Sequence, residues 1–324
     1  MARIIPVFIP HKGCPHDCVF CNQRRIAAPE APEPSAVRKS VEDALLITGT
    51  QDVQVAFYGG SFTAIPLEEQ KSYLDCLANL PVTVRLSTRP DAIDGAVLDL
   101  LSKYPVRTIE LGAQSMSNAV LARSARGHTA EDTVRASKLI KERGFSLILQ
   151  TMCGLPGDGG TYRDTARKAA QLAPDGVRIY PVVVIRDTAL YDLWQSGDYT
   201  PLTPHEGAAA AADMLEVFLE YDIPVIRIGL NPTEDLSSGG AAAGAYHPAL
   251  GEMARSEIYL RRMMRAAGEP KDGHAEFYVN PRRISRALGI ARENIARLEN
   301  AGYKNPKILP CESLGEYEVR CIWS

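Results

Sequence analysis

Three cysteines, Cys14, Cys18 and Cys21, lie four and three residues apart in the stretch His11-Lys12-Gly13-Cys14-Pro15-His16-Asp17-Cys18-Val19-Phe20-Cys21-Asn22. Zinc and iron–sulfur clusters favour thiolate ligands, and spacings this short let one loop wrap a single metal centre. A structural zinc site, or a 4Fe-4S cluster ligated only by protein, needs a fourth ligand. The next cysteine is Cys76, far along the chain. A cluster held by three thiolates leaves one iron open to a small molecule, so the loop reads as a reactive centre.

Composition narrows where such a centre can sit. A chain of 324 residues with 45% hydrophobic and 23% charged residues suits a globular protein with one large domain and a small appendage. Residues 1–11 lack a signal-peptide layout, and the apolar runs fall short of the ~18 residues of a membrane span. Seven cysteines, three of them crowded into one loop, argue against a disulfide framework and for a reducing compartment. The expected location is the cytoplasm, away from membranes. Net charge is −3, but residues 255–297 hold ten Lys/Arg against five Asp/Glu. That local excess fits a solvated helical surface or a contact with RNA.

The cysteine loop follows a strand-like run, Ile4 to Ile9, and strand and helix signals then alternate. Strands are predicted at 53–58, 82–88, 107–112, 145–151, 176–185 and 224–228, with helical periodicity over 35–48, 66–80, 92–103, 117–143 (broken at Gly127), 161–172 and 205–221. This is the pattern of parallel βα units. Gly59-Gly60, Arg89, Gln114, Gln150 and Val183 fall at or near strand C-termini, which in a parallel barrel converge on one mouth. An open doubly wound sheet would split them around a switch point. The predicted fold is α/β, a partial or complete parallel (β/α) barrel over 1–230. A Ser/Gly/Ala-rich flexible connection spans 231–248, and a small α/β appendage spans 249–324.

With these elements in place, Cys14-x3-Cys18-x2-Cys21 after a first strand resembles the signature of the radical S-adenosylmethionine (SAM) enzymes. The pattern is most similar to the group containing the Elongator catalytic subunit and the oxygen-independent coproporphyrinogen oxidases. That likeness is carried by Phe57-Tyr58-Gly59-Gly60-Ser61-Phe62-Thr63, Ser87-Thr88-Arg89-Pro90-Asp91, Glu110-Leu111-Gly112-Ala113-Gln114-Ser115, Arg126-Gly127-His128 and Gly154-Leu155-Pro156-Gly157. The resemblance implies a TIM-barrel-like radical SAM fold, a 4Fe-4S cluster on Cys14, Cys18 and Cys21, and S-adenosylmethionine on its open iron. It further implies that Phe20 packs on the adenine and Gly59-Gly60 meets the amino group. Arg126 would clamp the carboxylate, Gln114 would bond the ribose, and Val183 would offer backbone groups to the adenine. Gln150 stands where those relatives often carry a ribose-binding carboxylate, and an amide can still accept from a hydroxyl.

Such an enzyme needs an electron donor such as flavodoxin or ferredoxin. Likeness to the Elongator subunit implies RNA as a substrate, although a chain of this length is expected to lack that subunit's acetyltransferase domain. The barrel implies radical chemistry and leaves the substrate open. Around Gly289 the sequence runs helix, Gly-x-x-Arg turn, helix, similar to a KH module, with Arg282, Arg283, Arg286 and Arg292 as a basic stripe. The alternative function is a non-catalytic iron–sulfur or metal-binding protein on the same scaffold. Gly59-Gly60, Gln114 and Arg126 discriminate the two, because a metal carrier has no use for a SAM-shaped site.

Overall fold

The computed structural model describes residues 3–23, 30–48, 52–233 and 236–324. Part of the Pro-rich stretch after the cysteine loop and part of the 231–248 connection lie outside the described residues. Seven strands form one sheet in the order β1 (Arg3–Phe8), β2 (Val53–Tyr58), β3 (Thr83–Thr88), β4 (Val106–Gln114), β5 (Ser146–Cys153), β6 (Gly176–Pro181) and β8 (Val225–Ile228). Every adjacent pair is parallel, and β1 and β8 are unpaired edges. The sheet is therefore a parallel half-barrel, the partial form of the predicted fold.

Side-chain alternation decides which face is core and which is lumen. Along β3, Val84 and Leu86 are buried while Arg85 and Ser87 stay partly exposed. The buried set packs against helices Pro34–Thr48, Ala130–Glu142, Tyr162–Gln171 and Pro204–Glu220 in one hydrophobic core. Two of these helices start on capping boxes, Thr129 with Asp132 and Thr203 with Glu206. Each satisfies backbone donors that would otherwise be orphaned at the helix N-terminus. The opposite face, carrying Tyr58, Arg85, Ser87, Gln150, Met152, Tyr180 and Arg227, lines an open lumen.

Beyond β6, the short strand β7 (Val183–Ile185) leaves the sheet and pairs antiparallel with β9 (Ala241–Gly244). Helix Ala189–Gln195 follows β7, and neither it nor β9 was among the elements expected from sequence. The C-terminal part has a mixed sheet in the order β11 (Lys307–Pro310), β10 (Ala275–Val279), β12 (Val319–Trp323). Its helix Leu250–Ala267 packs on Pro204–Glu220, so the main hydrophobic core runs unbroken from half-barrel into appendage. Part of the basic surface of this region is paired. Arg283 meets Glu316 at 3.1 Å, Arg286 meets Glu252 at 2.7 Å and Arg297 meets Glu257 at 2.7 Å. In the Gly-x-x-Arg turn, Ala291 and Arg292 adopt positive φ (50° and 63°), and the buried Asn294 ties the next helix to Ser256. Among the described residues, no helix is long and apolar enough to cross a membrane.

Candidate active site

The cysteine loop is pinned to the β2 turn through backbone groups. His11 N donates to Gly59 O (2.9 Å) and Ser61 N donates to Lys12 O (2.8 Å). A Cβ at Gly60 would run into the carbonyls of Ile9 and Lys12, so only glycine lets the two segments approach this closely. The Lys12 ammonium pairs with Glu69 and lies over the Tyr73 ring, which anchors the loop to the helix Leu67–Asp75. Cys14, Cys18 and Cys21 are all partly exposed and unoxidised.

The thiols sense one another. Burial, then the neighbouring Cys18 and Cys14, push the Cys21 thiol up to about 12, while Arg126 and a hydrogen bond from Gln23 pull against that rise. Three mutually repelling sulfurs on one loop suit a cationic iron centre, which would take them as thiolates. Among the described residues, no three His, Cys, Asp or Glu side chains are already drawn together as a metal cage.

Arg126 faces this loop. Its Nη1 donates to Cys18 Sγ at 3.4 Å and its Nη2 to Gly112 O at 2.8 Å. Gly112 is needed there, since a Cβ would sit 2.6 Å from that guanidinium. Arg89, only 1% exposed, holds the Arg126 backbone by donating from Nη2 to its carbonyl at 2.6 Å, and is itself held by Asp91. Gln114 ends β4 with φ at 61°, a left-handed conformation that strains a residue bearing a side chain, and such strain clusters at functional sites. Buried polar atoms without a hydrogen-bond partner gather here: Gln114 Oε1, Arg126 Nε, Arg89 Nη1 and His128 Nδ1. Buried orphans carry a desolvation penalty that a polar ligand would remove.

The other predicted contacts divide. Phe20 is half-buried and packs with Val182, Val184 and Leu190 in an apolar wall beside the loop. Gly59 has φ at 86°, the positive value that the turn requires. Gln150 is directed down the lumen, where its Nε2 donates to Glu110 Oε2 (3.1 Å) and Ser87 Oγ (3.3 Å), leaving its oxygen for a ligand. Val183 is core, with its side chain beside Ile185 and Leu236 and its strand paired to β9. Cys153 is fully buried core, as a small hydrophobe would be.

Reading the sequence missed what lies under Gln150. Glu110, fully buried, accepts from Arg85 Nη1 (2.8 Å), Arg178 Nε (2.9 Å) and Tyr58 OH (3.0 Å). Burial alone would raise this carboxyl, but Arg178 and Arg85 outweigh it and hold it below the usual range. The available signal was a charged residue in the middle of strands that otherwise read as buried: Arg85 in Thr83–Thr88, Glu110 in Val106–Gln114 and Arg178 in Gly176–Pro181.

His128 gives a pH test of the rim. Burial, then the charges of Arg126 and Arg89, lower its pKa to about 4, so the imidazole is neutral near pH 7 and can donate from Nε2 to Ala113 O (3.2 Å). In the unfolded chain the group titrates near 6.5. Between those values the unfolded state binds more protons, so stability falls as pH drops. Moving from pH 7.5 to 5 should cost wild type roughly 2 kcal/mol more than His128→Gln. Urea midpoints that shift equally in both proteins would remove His128 from this role.

Comparison with known proteins follows the same outline. The family model described as Radical SAM superfamily matches residues 8–169, and the Radical_SAM C-terminal domain model matches residues 174–262. The chain is 29% identical over 226 residues to the uncharacterized protein MJ0486 of Methanocaldococcus jannaschii, covering 64% of this chain and 70% of that one. It is 32% identical over 148 residues to a tRNA uridine(34) acetyltransferase of the same organism, covering 44% of this chain but 27% of that protein. Among solved structures, the Methanocaldococcus infernus Elp3 with an N-terminal deletion superposes with a TM-score of 0.61 at 22% identity, covering 82% of this chain and 66% of that one. Escherichia coli coproporphyrinogen III oxidase (HemN) gives a TM-score of 0.51 at 18% identity, covering 68% and 53%. These two superpositions speak to the fold alone.

Proposed function

The chain belongs to the radical SAM superfamily of enzymes, and from that premise we propose that it holds a 4Fe-4S cluster on Cys14, Cys18 and Cys21 and cleaves S-adenosylmethionine reductively against Gly59-Gly60, Gln114 and Arg126. The observation that carries this reading is the pair of buried orphan atoms, Arg126 Nε on the guanidinium that reaches Cys18 and Gln114 Oε1 on the neighbouring side chain across Gly112. A cluster held by Cys14, Cys18 and Cys21 would supply one electron for reductive cleavage of the sulfonium carbon–sulfur bond of S-adenosylmethionine and so radical chemistry toward the substrate.

The chain's own residues position the cosubstrate. Arg126 offers a planar fork to a carboxylate, and its Nε is unspent. Arg89 and Gly112 fix that fork, so little rotamer freedom is lost when the carboxylate arrives. Gln114 presents an acceptor to a ribose hydroxyl, Phe20 an apolar face to adenine, and the Gly59-Gly60 turn its backbone to the amino group. Flavodoxin or ferredoxin is the proposed electron donor. Similarity to proteins named tRNA uridine(34) acetyltransferase supports RNA as the substrate class.

One anaerobic experiment tests both levels. Wild type reconstituted with iron and sulfide should turn brown and, with dithionite and S-adenosylmethionine, release 5′-deoxyadenosine. A colourless protein or no nucleoside sinks the reading. Added transfer RNA should raise the 5′-deoxyadenosine yield, and an unchanged yield removes RNA as the substrate.

A further inference from the structure

Below the rim, the lumen carries more positive charge than it neutralises. Arg85 and Arg178 share Glu110, and in register beside Arg178 on the next strand stands Arg227. Among the described residues the Arg227 side chain makes no hydrogen bond or ion pair, yet its charge reaches the Tyr180 phenol, which Arg178 and Glu110 also influence. Glu110 is the one acid among the described strand positions that face inward. Three guanidiniums against one carboxylate leave a surplus of two positive charges. The Arg85 and Arg178 side chains are only 14% and 10% exposed, so water screens that surplus poorly.

Taking the radical-enzyme reading above for the reaction, we infer that this lumen floor seats the anionic end of the substrate, a carboxylate or a phosphate, on Arg227 beside the Arg178–Glu110–Arg85 cluster. Guanidinium forks match both groups and bind them bidentately. The ladder sets Arg227 level with Arg178, Gln150 and Gly112, two residues short of Gln114 along β4, or roughly 7 Å at the ~3.3 Å rise of a parallel strand. The ligand is therefore a molecule of at least that span, its charged group down and its reacting carbon at the rim. A free inorganic anion would be too short to reach the chemistry. Gln150 ties this level to β4 and β3, its amide donating to Glu110 and Ser87.

Calorimetry on the reconstituted full chain tests the site with uridine 5′-monophosphate, glutarate and, as the neutral control, uridine. At least one charged probe should bind wild type with an affinity that falls as salt rises. Binding should weaken tenfold or more in Arg227→Gln and recover only in part in Arg227→Lys, which keeps the charge but not the bidentate fork, with thermal midpoints of both variants recorded to show that they fold. Whichever probe binds identifies phosphate or carboxylate as the recognised group. Binding of neither probe, equal binding by Arg227→Gln, or uridine binding as tightly as its monophosphate overturns the inference. Wild-type 5′-deoxyadenosine formation, measured on the same preparation, reports on the radical reading separately: anion binding without the nucleoside would keep the lumen site and discard the reaction.

Discussion

A Cys18→Ala chain is expected to leave anaerobic reconstitution without a brown chromophore and to form no 5′-deoxyadenosine above background. Three thiolates are few for a cluster, and Cys76, the next cysteine in sequence, belongs to the helical layer outside the sheet, where Arg38 donates to its carbonyl. On the reading proposed above, two sulfurs would have to hold what three hold, and the loop has no further cysteine to take the place of the third. Loss should therefore be complete rather than graded. Cys153→Ala is the paired control. Its sulfur is fully buried in the hydrophobic core, so that variant should lose some stability by leaving a small cavity and keep the chromophore. Iron and sulfide assay with visible absorbance decides the matter: a Cys18→Ala protein that keeps its cluster would move the metal site elsewhere.

Glu110→Ala should destabilise the fold by about 3–5 kcal/mol, because it strands two guanidiniums in a poorly hydrated lumen. The carboxyl also accepts from Tyr58 and Gln150, whose donors lose their partner. Since the two arginines hold the folded-state pKa down, this contribution is present above the ordinary carboxylate range. It is lost as pH falls through the folded value. A second variant separates stability from purpose. Replacing the whole triad with apolar residues of similar size (Arg85→Met, Glu110→Leu, Arg178→Met) should recover most of the lost stability, because buried ion pairs are often no better than good packing. Urea unfolding of the three proteins measures this. If the apolar triad is as unstable as Glu110→Ala, the charges are there to hold the sheet together. If it recovers, they are there for what enters the lumen.

These residues also mark where reading the sequence stops. The alternation of strand and helix was legible because β-branched and aliphatic runs, punctuated by Gly and Pro, carry their period in a few residues. The strand ends that face the mouth followed from that order. Helix Ala189–Gln195 was missed because it is a single short stretch inside a region that continues strand-like valines from Val182 to Val184. The β7–β9 pair was missed because Ala241–Gly244 has no strand propensity of its own and is held by its partner. Gln114, Arg126 and Gly60 could be listed from the motif, whereas the brace that Arg89 provides through the Arg126 carbonyl depends on two loops meeting in space. The lumen triad joins residues from three separate strands, and no spacing rule connects positions 85, 110 and 178.

The two unpaired edges of the sheet have a consequence for traffic. A closed barrel admits molecules through its ends alone, whereas among the described residues no strand of this sheet joins β1 to β8. Ile4 on β1 and Ile226 on β8, 43% and 44% exposed, stand on those two strands. On the reading proposed above, a long polymer could offer one unit to the interior from that side while the rest of it stays outside. Turnover of a cosubstrate at the top and exchange of a guest at the flank would then be separate events, and neither would have to wait for the other.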